Sequence, residues 1–99
     1  MGTLLYGSPP TAIPVEDRLL AHLKVVMVAK LRRNEPFLLS TDEPEDDSIG
    51  RMSLWIHPSI PLQFTFTERT RPEINRAWVE EMSRASSTAE GIQVTHEPE

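Results

Sequence analysis

The sequence predicts an α+β fold: a two-layer sandwich, mainly antiparallel sheet with two helices packed on it, in the order ββαβββαβ. Three observations lead there. Six short segments read as strands, and most are joined by turns rich in Gly and Pro. Two longer segments repeat apolar residues at helical spacing. Each of these has one main apolar stripe, so each helix touches one layer.

Thr3 to Tyr6 is a short strand, and Gly7 to Pro10 supplies turn chemistry. Thr11 to Val15 follows as a second strand, closing an N-terminal hairpin. Pro14 has no N–H to donate, which places that strand at an edge. A helix is predicted from Asp17, its N-cap, to Arg33, with Asn34 as the stop. Leu19, Leu20, Leu23, Val26, Met27 and Leu31 form its apolar face, and His22 falls on the outer side. Pro36 to Ser40 reads as a third strand. Arg51 to His57 and Pro61 to Thr67 alternate cleanly and read as a hairpin around the turn His57 to Pro61. The second helix is predicted over residues 71–86, with Thr70 and Glu73 at capping-box spacing. Its buried stripe is Ile74, Trp78, Met82 and Ala85. Gly91 is a turn or cap residue before a last strand carrying Ile92 and Val94.

A chain of 99 residues implies one domain. It spans residues 1–96, with a frayed tail at 97–99 and a mobile acidic loop at 41–50. That loop carries five acids and no base, so it cannot pack a core. There is no cysteine. Disulfides, thiolate metal sites and cysteine nucleophiles are therefore excluded, and a reducing, cytoplasmic place is expected. No apolar run approaches the ~20 residues of a membrane span. A net charge of −5 argues against general nucleic-acid affinity and leaves room for a local basic patch.

Such a patch is offered by the first helix. From Arg18 to Asn34 it holds Arg18, Lys24, Lys30, Arg32 and Arg33 and no acid. Arg18, Lys24, Arg32 and Arg33 are the candidate phosphate contacts. Charge balance with the acidic residues 42–47 is the competing explanation. The same helix has a second apolar strip, Ala21, Val25, Val28 and Ala29, facing away from Leu23 and Met27. A water-facing helix side has little use for such residues, so a contact with another subunit is one reading and cover by a loop is the other.

In the predicted hairpin, Leu54, Ile56, Leu62, Phe64 and Phe66 point to the core. Trp55, His57 and Gln63 are left on the outer face. Trp55 is either the centre of a contact surface or an aromatic covered by a loop, by the N-terminal hairpin or by a second copy. Catalysis has no motif to support it: there is no G-x-S-x-G, P-loop, G-x-G-x-x-G or H-E-x-x-H. His22, His57 and His96 lack metal-ligand spacing, and the acidic loop lacks calcium-loop spacing. No cofactor and no metal are implied.

The segments MGTLLYGS, LAHLKVV with KLRR, WIHPSIPLQF and NRAWVE resemble a family of small actinobacterial proteins of this length, across nearly the whole chain. Members often carry the name ATP-dependent DNA ligase. The resemblance implies a link to DNA, but the nucleophilic lysine of ligases lies in K-x-D-G. Here Lys24 is followed by Val25, Val26 and Met27, and Lys30 by Leu31, Arg32 and Arg33. The expectation is a non-catalytic interaction module that forms a homo-oligomer or docks on a protein partner through Trp55, His57, Gln63, Val25 and Val28. The alternative is a nucleic-acid accessory protein using the basic helix and Trp55.

Overall fold

The structure is a computed structural model that describes residues 2–42 and 51–93. Its elements are β1 (Gly2–Tyr6), β2 (Thr11–Val15), α1 (Asp17–Arg32), β3 (Phe37–Asp42), β4 (Arg51–Ile56), β5 (Leu62–Thr65), α2 (Arg76–Ala85) and β6 (Ile92–Gln93). The order ββαβββαβ and the α+β class are as the sequence predicts. The third strand runs on to Asp42 and pairs there with Arg51. The rest of the acidic loop, residues 43–50, and the tail at 97–99 lie outside the described residues.

The strands form two sheets of three, ordered β2-β1-β5 and β4-β3-β6. In the first, all pairing is antiparallel, with Leu4 opposite Ile13 on one side and Phe64 on the other. In the second, β3 pairs antiparallel with β4 and parallel with β6. The expected β4–β5 hairpin does not form. The faces are as the alternation predicts, because alternation fixes which side each residue points to. Alternation does not fix the partner. Pro58 and Pro61 interrupt the N–H supply at the turn, and the Pro61 carbonyl accepts the Gly7 N–H at 3.0 Å. That bond commits the start of β5 to the β1 end of the first sheet.

Both sheets share one core. Leu4 and Ile13 of the first sheet join Phe37, Leu39, Ile56 and Ile92 of the second. Leu20, Leu23 and Met27 of α1 and Trp78 and Met82 of α2 complete it. Leu54, Leu62, Phe64 and Phe66 are half-buried against this cluster.

Two helix starts differ from expectation. Asp17 is the first residue of α1 and not its cap; Glu16 precedes it without a capping side chain. The Asp17 carboxylate turns to the segment after β5 and accepts the Glu68 N–H at 2.9 Å and the Thr67 N–H at 3.2 Å. The second helix begins at Arg76, five residues after the predicted start. Asn75 is the N-cap, its Oδ1 accepting from Ala77 N at 3.0 Å and Trp78 N at 3.4 Å. Pro72 and Ile74 therefore lie in the link before α2, and Ile74 is exposed where the sequence placed it in the buried stripe. The α1 stop is as predicted: Asn34 takes a left-handed φ of 58°, which asparagine tolerates better than most residues.

Candidate interaction surfaces

The inward side of α1 extends further than its aliphatic stripe. His22, expected on the outer side, is 0% exposed. The reason is α2, which packs on the flank of α1 that carries His22. The His22 ring lies 4.5 Å from the Trp78 ring, centroid to centroid. The Asn75 N–H donates to Nε2 at 2.8 Å. A nitrogen that accepts from a backbone N–H carries no proton, so the proton is on Nδ1. From there it is donated to the Arg18 carbonyl at 2.7 Å. His22 is thus a satisfied core histidine.

The link between β5 and α2 is tied to α1 at a second point. Arg18 Nη1 donates to the Glu73 carbonyl at 3.1 Å. The Glu73 carbonyl and the Asn75 N–H belong to the two peptide groups flanking Ile74. Both are held by α1, one by Arg18 and the other by His22, one turn apart. Ile74 is therefore fixed at the rim of α1, 43% exposed. Periodicity hid this residue, because Ile74 and Trp78 have helical spacing. Asn75, a strong capping type after Pro72, was the signal that the helix starts later.

On the outward side of α1, Val25 is 42% and Val28 37% exposed, and Ala21 and Ala29 are half-buried. No described loop covers this strip. Lys24 and Arg32 are exposed on the same helix. Lys24 Nζ stands 5.8 Å from the Phe66 ring centroid, within cation–π range. Glu35 balances the end of the helix: Lys30 pairs with it at 3.1 Å and Arg33 at 3.9 Å. The expected balancing residues at 43–47 lie outside the described residues.

Trp55 on β4 is 56% exposed. Its side chain shares the outer face with Leu38, its partner in register. Its backbone is bound: the Tyr6 hydroxyl donates to the Trp55 carbonyl and so bridges the two sheets. Burial pushes the Tyr6 phenol up, which keeps the donor proton in place. His57 is half-buried and engaged by its own turn. Its Nδ1 accepts the Ser59 N–H at 3.1 Å and lies 2.8 Å from the Ser59 hydroxyl. Gln63 is exposed on β5, where its amide donates to Thr65 Oγ1 at 3.3 Å.

The five expected contact residues thus fall in three places: Trp55 and His57 at one sheet, Gln63 on the other, and Val25 with Val28 on α1. Of the basic residues, Lys24 and Arg32 stand beside the valine strip, Arg18 is bound to the link, and Arg33 faces Glu35. Among the described residues no cluster of His, Asp and Glu could hold a metal ion. Among them, too, no helix is long and apolar enough to cross a membrane. No curated protein and no solved structure matches the chain. A family model does match, over residues 1–97, and the chain belongs to that family, the domain of unknown function DUF7882.

Proposed function

We propose that this chain is an interaction module that works by binding another protein surface or a second copy of itself, without catalysis. The observation that carries the reading is the exposed Val25 and Val28 on a helix whose other side is fully used in the core. Isolated surface apolar residues are ordinary, but a strip of them on a paired helix marks contact surfaces. Trp55 offers a second place of the same kind. A cytoplasmic setting belongs to the same proposal, supported by the cysteine-free composition.

The test is a photo-activated cross-linker placed at Val28 in the native host. A defined adduct, to one other protein or to a second copy, is expected. Absence of any defined adduct removes the reading. Sedimentation over a wide concentration range separates the two forms: self-association weakened by Val28→Asp supports the homo-oligomer, and a monomer throughout leaves docking on a different protein.

A second reading has one observation in its favour. The basic run Arg18 to Arg33 and the exposed Trp55 suit phosphates and a stacked base, the latter contributing ~1–3 kcal/mol where it occurs. The DNA-linked name and actinobacterial source of the proteins this sequence resembles belong with this reading; ligase activity does not, because no K-x-D-G is present. Salt-sensitive binding to DNA or RNA is its expected result. No binding of either at low salt ends it.

A further inference from the structure

Resting on the protein-contact reading, we infer that the outward face of α1 binds an acidic segment of a different protein, bearing apolar side chains at helical spacing, and not a second copy of this chain.

At ~100° per residue, Ala21, Val25, Val28 and Arg32 fall within a window of about 60°. They form one stripe, about three turns long. Lys24 borders it on one side. Ile74 borders it on the other, because Arg18 and His22 hold both of its peptide groups against α1. The apolar part of the stripe is Ala21, Val25 and Val28, widened by Ile74. The charged frame is Lys24 and Arg32, both exposed.

The charge of this face decides the partner. The chain carries −5 overall, yet no acid occurs from Arg18 to Asn34. Three described carboxylates stand at the helix ends; Glu16 precedes the first turn on the side away from the stripe, and the other two are engaged elsewhere. Asp17 is bound to Thr67 and Glu68, and Glu35 is bound to Lys30 and Arg33. A two-fold pairing of this face would bring Lys24 and Arg32 of both copies together, and the helix between Arg18 and Asn34 has no carboxylate to set between them. Like charges brought together in an interface are a device against pairing. An apolar strip framed by cations is complementary to an apolar strip framed by carboxylates, and a second helix meets such a strip with anchors at i, i+3, i+4 and i+7. Nucleic acid fits less well. Lys24 and Arg32 are about 12 Å apart along the axis, and the valines between them would face a phosphate backbone with nothing to offer it.

The experiment is selection from a displayed library of amphipathic helical peptides whose polar positions vary freely among acidic, neutral and basic residues. The full chain is the target. Acidic peptides with apolar i, i+3/i+4, i+7 positions are expected to be enriched. The strongest of them should bind about tenfold more weakly to Lys24→Glu and to Arg32→Glu, and to Val28→Asp by at least as much. All three positions are exposed, and melting curves check that each variant folds. Ile74→Ser repeats the test from outside the helix. Enrichment of neutral or basic peptides, binding that the variants leave unchanged, or no enrichment overturns the inference. A dimer broken by Val28→Asp also overturns it while preserving the protein-contact reading. Salt-sensitive binding of a duplex DNA through Lys24 and Arg32, with no peptide enriched, overturns both.

Discussion

His22 and Asn75 join the two helices through one hydrogen bond, from the Asn75 backbone N–H to His22 Nε2 at 2.8 Å. That bond sits at the start of α2, since the Asn75 side chain also caps its first turn. Replacing His22 with Ala removes the acceptor for Asn75, the donor for the Arg18 carbonyl and the ring against Trp78. Leaving polar groups unpaired costs about 1–3 kcal/mol, and the cavity adds to it. His22→Ala is expected to lower stability by about 2–4 kcal/mol. Urea denaturation followed by the fluorescence of the buried Trp78 measures it. A loss below about 0.5 kcal/mol, the level of an ordinary surface change, would show the joint to be unimportant.

Asp17 predicts an acid-sensitive contact. The Glu68 N–H, then the Thr67 N–H and hydroxyl, hold its carboxyl below the usual carboxylate range. A depressed folded pKa means that the ionised form is the one folding favours. Its contribution is complete above the unfolded value, about 3.9, and is lost as pH falls from there through the lower folded value. Asp17→Asn should be less stable than the parent at neutral pH, and the difference should narrow below pH ~4. Denaturant midpoints collected across that range test both statements. A difference that stays constant to the lowest pH would mean that ionisation of Asp17 is not what the contact uses.

Much of the fold could be read from the residues because local signals fix local structure. The run Leu19 to Leu31 and the alternation of Leu54, Ile56, Leu62 and Phe64 place their elements and faces on their own. What could not be read is which strand meets which. Tyr6 and Trp55 show why. The hydroxyl that bridges the sheets crosses 49 residues of sequence, and no local pattern in either strand encodes it. The same holds for His22. Its burial is decided by a helix whose first residue is Arg76, so its own surroundings in α1 leave it on a plausible outer side. For the candidate surface, Val25 and Val28 were legible because a second apolar strip on one helix exceeds what one core layer uses. Ile74 was not, because its exposure follows from the cap at Asn75.

Gly91 yields a backbone prediction. Its φ is +73°, in the left-handed region, and a Cβ there would run into the Leu38 carbonyl. The residue lets the chain pass close to β3 just before β6 pairs with it in parallel. Gly91→Ala therefore meets both penalties, conformational and steric. A loss of about 1–3 kcal/mol is expected. For a domain of this size that is a fall in melting temperature of roughly 4–8 °C per kcal/mol. An unchanged melting temperature would mean that β6 is not held where it stands.

Trp55 separates stability from contact. A tryptophan inside a core loses about 3–5 kcal/mol on truncation to Ala. At 56% exposure, with Leu38 as its register partner on the outer face, Trp55 has much less to lose. The hydrogen bond from Tyr6 goes to its backbone carbonyl, which Trp55→Ala retains. The variant should therefore lie within about 1 kcal/mol of the parent by denaturant titration. Its effect belongs to association: if this sheet face is a contact surface, the adducts or complexes that form there are lost while the fold stays. The emission spectrum reads both at once. Exposed Trp55 supplies the red-shifted part and buried Trp78 the blue-shifted part, so the variant should show a blue-shifted spectrum that moves red only on unfolding. A stability loss of 3 kcal/mol or more would mean that something covers Trp55 and that this face is structural.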